Sequence, residues 1–439
     1  MTKNKIRIIG GGLAGCEAAF YLAGKGYEVE LVDIKPKKYT PAHNSENFCE
    51  LVCSNSLKSD DVYGNACGLL KEEMRRLGST IIPCADETRV PAGNALAVDR
   101  DKFATLVTKK LKALPNVTFL CEEITEIDFS VPTIVATGPL TTDALCEFIK
   151  QETGAFYFFD AAAPIVSADS IDYDNAFFSD RYGEPGSGDY LNCPMDKETY
   201  EAFYDALIHA ERAKLHDFEN SKVFEGCMPV EVMAVRGKDT LRFGPLKPAG
   251  LTDPRTGRWA YACLQLRKEN VQGSLYNLVG VQTNLLFGEQ KRVFSMFPAL
   301  KNAEFVRYGV MHKNTFVNAP QSLDKYFKLK NRPLTYFAGQ MTGVEGYVES
   351  AASGLAAAIN LDMQLEGKEP IDWDSRTVLG ALACYISAEN SNFQPMNANF
   401  GILSPITFGA AGRVPKEAKK RALAERALSE TDKIAQLIR

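Results

Sequence analysis

The stretch from Ile6 to Asp33 constrains this chain more than any other. It reads as an apolar strand (Ile6-Arg7-Ile8-Ile9), a glycine turn (Gly10-Gly11-Gly12-Leu13-Ala14-Gly15), a helix of small residues through Leu22, and a second apolar strand ending in Asp33. In a strand–turn–helix unit of this kind Gly10 permits the tight turn, Gly12 lets the backbone approach a pyrophosphate, and Gly15 lets helix and strand pack closely; the helix N-terminus offers unpaired N–H groups to the anion. Asp33 follows the turn by about 20 residues, the spacing at which an acidic side chain meets a ribose hydroxyl. Glycines that serve only packing are the alternative, and they would not need that acid.

Two more turns repeat the theme. A buried-type strand, Thr133-Ile134-Val135, ends in Ala136-Thr137-Gly138, and much later Tyr336-Phe337 runs into Gly339-Gln340-Met341-Thr342-Gly343, then Glu345-Gly346-Tyr347 and a helix rich in alanine. Three small-residue turns far apart in sequence favour FAD, whose long body takes contacts from several strands, over NAD alone. The expected fold is α/β: a discontinuous Rossmann-like FAD-binding domain with a parallel sheet, in parts 1–185 and 301–439, carrying a mixed α/β insertion domain at 186–300. Helices are expected at 64–77, 98–114, 197–215 and 416–439, a short strand at 124–127, and a β-like region over 223–281. The last helix is charged and reads as a solvated surface helix.

At 439 residues the chain has room for two or three domains. No apolar run approaches the roughly 20 residues that span a bilayer, and the first strand begins too early for a signal peptide, so the expected location is cytoplasmic. The eleven cysteines lack zinc-type spacing, so reduced thiols and no metal are expected. A net charge of −5 argues against a protein coated for nonspecific nucleic-acid binding, without excluding a local basic face. One such face is suggested by Arg236, Arg242, Arg255, Arg258, Arg267 and Lys268, interleaved with Phe243, Trp259 and Tyr261: cations for phosphates and rings for unstacked bases. An ordinary solvated β surface is the competing reading.

Two cysteines stand apart from the apolar patterns. Cys53 lies in a small polar loop soon after the first βαβ unit, and Cys227 lies between glycine and proline in Glu225-Gly226-Cys227-Met228-Pro229. Cys49, four residues before Cys53, makes a redox pair conceivable, and buried inert thiols remain the simpler reading of spacing alone.

Taken with the glycine motif, Glu50-Leu51-Val52-Cys53-Ser54-Asn55-Ser56, the Cys227 motif, Leu241-Arg242-Phe243-Gly244-Pro245, Asn277-Leu278-Val279-Gly280 and Gly339 through Tyr347, the chain resembles the folate- and FAD-dependent tRNA (uracil-5-)-methyltransferases over nearly its whole length. The resemblance implies FAD, 5,10-methylenetetrahydrofolate as one-carbon donor and NADH or NADPH as electron source, acting on C5 of a T-loop uridine of tRNA. Uracil C5 becomes nucleophilic once a thiolate adds to C6, and the resemblance implies that Cys53 and Cys227 are the two functional thiols. Cys227 is favoured for the attack and Cys53 for the flavin side, the division between them stays open, and Tyr347 is the candidate to stack on flavin or folate. Departures fall at Cys49, Lys58, Asn284 and Phe287; the last two lie toward the RNA side. The same chemistry on ribosomal RNA, or a non-methylating RNA-binding flavoprotein, are the alternatives. Neither DNA nor a membrane is an expected partner, and monomer and homodimer both stay open.

Overall fold

The computed structural model describes residues 5–439 apart from 41, 155, 162, 184–187, 214–227, 271, 310, 391–392 and 409–413. Its centre is a parallel sheet. Strand β1 (Lys5–Ile9) pairs with β2 (Glu28–Asp33) in the register Ile6↔Val29 and Ile8↔Leu31, and α1 (Leu13–Gly24) crosses between them. With α2 (Ala66–Arg76), α3 (Arg100–Lys112), β3 (Val117–Cys121), β4 (Thr133–Val135) and β5 (Thr335–Phe337) in place, the sheet order is β5-β4-β1-β2-β3. β5 is supplied from far down the chain, so the nucleotide-type domain is discontinuous, as expected.

Small residues set how near the helices come. α4 (Tyr347–Leu365) packs along α1, and a Cβ on its Gly354 would stand 2.1 Å from the Ala14 carbonyl oxygen. A Cβ on Gly15 would stand 1.9 Å from the Gly10 carbonyl oxygen. Neither distance is compatible with a side chain. Helix α2 starts at Asn65, whose side chain accepts from the Cys67 amide, and α3 starts at Asp99, whose carboxylate accepts from the Lys102 amide.

A second sheet of six strands, each paired antiparallel with its neighbours, runs in the order Phe177–Phe178, Leu191–Met195, Ala262–Lys268, Leu275–Leu278, Ile165–Ser167, Phe305–Arg307. It has its own core, built on Tyr200, Phe203, Leu266, Leu278, Phe294 and Phe297. The sheet reaches beyond 186–300 at both ends, because its edge and inner strands at 165–167 and 305–307 flank the insertion. Chain leaving and returning runs as an antiparallel pair, Phe156–Ala161 with Met311–Phe316.

Several local expectations change. The 124–127 segment forms no strand; Ile127 is buried and Ile124 lines a cleft instead. Val230–Val235 and Thr240–Phe243 are helical within the region read as β-like. The alternation Val-Glu-Val-Met-Ala-Val fits either period, and Pro229 at the N-cap starts a helix there. The helix from Lys197 ends at Ile208. The C-terminal helix spans Lys416–Leu437, yet it is not simply solvated: Ala424, Ala427, Leu428, Thr431 and Ala435 are buried, and Arg76 of α2 reaches Asp432 at 2.8 Å. Among the described residues no helix is long and apolar enough to cross a membrane, and no group of His, Cys, Asp or Glu could hold a metal ion.

Candidate active site

A cleft with a cavity volume of about 180 Å³ opens at the C-terminal ends of β1, β2 and β4, where an open parallel sheet receives its ligands. Its wall includes Gly10, Gly11, Gly12, Leu13, Ala14 and Asp33, then Ala136, Thr137 and Gly138, then Gly339, Gln340 and Tyr347. The three turns singled out in the sequence therefore meet in one place. Gly10 has φ +108° and lies so close to β4 that a Cβ would meet the Ala136 carbonyl oxygen at 2.4 Å. Gly12 has nothing within 4 Å of where a Cβ would stand, so the space above the turn is open. Helix α1 begins there with no side-chain cap and no acid in its first turn, leaving its N–H groups and dipole to an anion. Asp33 accepts from the Gly11 amide at 2.7 Å and the Lys35 amide at 2.9 Å; a carboxylate has further lone pairs for ribose hydroxyls. These residues fit a dinucleotide such as FAD.

Gly343, Glu345 and Gly346 do not line the cleft. Gly343 has φ +90°, and a Cβ there would strike Phe393 at 2.4 Å. Glu345 accepts from the Gln340 side chain at 2.6 Å and so orients a wall residue. Gly346, φ +124°, caps α4 where the side chains of Glu349 and Lys58 crowd in.

Cys53 is half-buried beside the cleft. The Tyr347 hydroxyl, at the start of α4, donates to Cys53 Sγ at 3.1 Å and accepts from the Cys53 amide at 2.9 Å. Burial, and then the adjacent thiol, push this phenol well above the ordinary tyrosine value, so it stays protonated and keeps donating. Cys49 turns away: it is buried, with φ +55°, and its thiol faces Cys16. Burial raises its thiol well above the usual range, which suits an inert core cysteine better than a partner for Cys53. Cys227 lies outside the described residues.

The residues read as a basic face divide. Arg236 is exposed, and Arg258 is exposed on a short hairpin beside Trp259. Arg242 lies 3.6 Å from the Tyr261 ring centre and pairs with Asp239 at 2.6 Å; Arg255 pairs with Asp253 at 2.8 Å. Lys268 is half-buried. Arg267 is not on that surface at all. It is buried, and it donates to Ser54 Oγ and Asn55 Oδ1, each at 2.9 Å. A charged residue on the face of a strand opposite its apolar positions looks solvent-facing until the element packed over it is known.

Sequence reasoning missed Arg100, which donates to the Leu51 carbonyl at 2.8 Å and pairs with Glu269 at 2.7 Å. One local sign was present. Arg100 opens α3, and a cation at a helix N-terminus opposes the dipole unless other partners hold it.

Residues 5–369 match the family described as GIDA, Glucose inhibited division protein A. The chain is 54% identical over 429 residues to the Methylenetetrahydrofolate--tRNA-(uracil-5-)-methyltransferase TrmFO of Geobacter sulfurreducens, covering 97% of this chain and 98% of that one. Identity to the protein of the same name from Acetivibrio thermocellus is 57% over 401 residues, covering 91% and 92%. Of solved structures, Aquifex aeolicus GidA in its form I crystal aligns with a TM-score of 0.72 at 16% identity, over 99% of this chain and 76% of that chain, a likeness of fold alone. At 54% and 57% identity to these two relatives, over nearly the full length of both chains, the chain belongs to the methylenetetrahydrofolate--tRNA-(uracil-5-)-methyltransferase TrmFO family.

Proposed function

We propose that this protein methylates C5 of the T-loop uridine of tRNA in the cytoplasm, with 5,10-methylenetetrahydrofolate as carbon donor and NADH or NADPH as reductant. The observation that supports the reading is that Tyr347, which lines the cleft formed by the three glycine turns, donates to Cys53 Sγ at 3.1 Å and so holds that thiol beside the cleft. Bound FAD supplies the relay of the one-carbon unit and the electrons that reduce it to a methyl group.

The chain's own residues divide the remaining work. The turn at Gly10–Gly15 and the α1 N-terminus seat the pyrophosphate, Asp33 takes the ribose, and the 136–138 and 339–340 turns hold the rest of the cofactor. Cys227 is the thiol that adds to uracil C6 and makes C5 nucleophilic. Cys53 acts on the flavin side, taking the C5 proton once the new bond has formed, and the Tyr347 hydroxyl holds its sulfur in place for that transfer. The Tyr347 ring stacks on flavin or folate. Arg236 and Arg258 are the candidates for RNA phosphates, while Arg242 is held by Asp239 and Tyr261, Arg255 is held by Asp253, and Lys268 is half-buried.

The reading is tested by offering purified protein labelled methylenetetrahydrofolate with unmodified tRNA transcript or with ribosomal RNA fragments, each with NADH and with NADPH. Label in T-loop 5-methyluridine supports it. Label confined to ribosomal RNA would keep the chemistry and replace the substrate.

A further inference from the structure

Successive groups of the Cys53 loop are gripped one by one. Arg100 holds the Leu51 carbonyl, Arg307 donates to the Val52 carbonyl at 2.8 Å, Tyr347 takes the Cys53 amide, and Arg267 binds the side chains of Ser54 and Asn55. Asn55, fully buried, returns a hydrogen bond to the Lys268 carbonyl at 2.9 Å. Arg100 and Tyr347 belong to the nucleotide-type body. Arg267 and Arg307 do not: they sit on Ala262–Lys268 and Phe305–Arg307 of the second sheet. A register shift between Phe305 and Arg307 interrupts the ladder at that point, the kind of irregularity that re-aims a side chain.

The electrostatics are costly for mere packing. Among the described residues neither Arg267 nor Arg307 has a carboxylate within 4.0 Å. Burial, and then the neighbouring Arg100, lower the Arg307 pKa against the opposing pull of Tyr347, Glu269 and Glu50, so this guanidinium sits beside a like charge. A well-packed apolar residue would stabilise such a seam at least as well. What an arginine adds is a rigid fork that fixes the atoms it binds.

We propose that Arg267 and Arg307 are positioning residues, which set the Cys53 thiol from the second sheet, so that the thiol stands correctly only while the two bodies are docked. Neither residue touches the reacting atoms. For its methyl-transfer readout this rests on the proposed function; its thiol readout does not.

The experiment uses the flavin-loaded full chain with Arg267→Met, Arg307→Met and the corresponding lysine variants. Cys53 alkylation by iodoacetamide is followed by peptide mass spectrometry beside the methyl-transfer kinetics. Loss of one grip is expected to raise the Cys53 alkylation rate about 5-fold and to lower kcat by about 10- to 100-fold. KM for tRNA should stay within about 2-fold. Lysine, which keeps the charge and one hydrogen bond, should fall between, and decides the matter by the same readouts if the methionine variants do not fold. An unchanged alkylation rate would overturn the proposal, as would a raised KM for tRNA at unchanged kcat, which is the behaviour of an RNA contact. Absence of methyl transfer in the parent protein would instead overturn the proposed function, and the alkylation rates would still decide the positioning role.

Discussion

The Tyr347 oxygen accepts from the amides of Cys53 and Ser54, at 2.9 and 3.4 Å, and donates to one sulfur. Removing that single atom frees a loop while leaving the ring. Tyr347→Phe is expected to lower the methyl-transfer kcat by about 10- to 100-fold and stability by only about 1 kcal/mol, measured by steady-state kinetics and urea unfolding. Gly354 makes the opposite kind of demand. Its Cβ would collide with the Ala14 backbone, so Gly354→Ala must part α1 from α4, at a cost of about 1–3 kcal/mol and with weakened flavin retention, read by flavin release on gel filtration. Both residues show what a linear reading can reach. Glycines and cysteines announce themselves by local motif, whereas Arg100, Arg267 and Arg307 acquire their roles only when segments 49 to 255 residues apart are brought onto residues 51–55. Nothing in the order of residues around Arg267 distinguishes an inward from an outward face.

Two buried glutamates tie elements together. Glu17 of α1 accepts from Ser79 Oγ at 2.5 Å and the Thr80 amide at 2.7 Å, at the start of the helix Ile81–Glu87. Glu73 of α2 accepts from the Val378 and Leu379 amides at 2.8 and 3.0 Å, capping α5 (Val378–Ser387). Burial outweighs these hydrogen bonds and raises both carboxyls to about 7. A raised carboxyl binds its proton more tightly in the folded state than in the unfolded one. Its contribution is therefore fully present below about 4.5 and is lost as pH rises through about 7, on the order of 3 kcal/mol per group. Thermal melts from pH 5 to 8.5 should show stability falling across this window, and Glu73→Gln should flatten the fall relative to the parent protein. The elements themselves were legible where local chemistry marks them, as with Asp99 before α3. They were not legible where a neighbour decides. The helix at 416–437, here α6 (Lys416–Leu437), carries charge on most turns, yet its alanines pack on α2. Replacing Ala427 by Asp is expected to destabilise the protein by about 2–4 kcal/mol, since an unpaired carboxylate would be buried there, and a lysine on the exposed Glu425 position should be near neutral by the same melt.

At the scale of the whole molecule the chain is a parallel-sheet body interrupted by a second sheet, with its leaving and returning strands paired. The cofactor-type cleft lies in the first body, and the loop carrying its thiol is held from both. Two halves of one nucleotide-type sheet, separated by nearly 200 residues of sequence between β4 and β5, were legible from three glycine turns, because each turn needs small residues at fixed places. The extent of the second sheet was not, since its strands at 165–167 and 305–307 are short and their pairing is nonlocal. The central claim is that Cys53, held beside this cleft by Tyr347, serves carbon transfer to a uridine. It is tested most directly by supplying labelled 5,10-methylenetetrahydrofolate, NADPH and unmodified tRNA transcript to the flavin-loaded protein and to its Cys53→Ala variant, and by mapping the label. The account predicts label in 5-methyluridine of the T loop with the parent protein and its loss in the variant, with flavin still bound. Equal label from both proteins, or NADPH oxidation with no label in RNA from either, would contradict it.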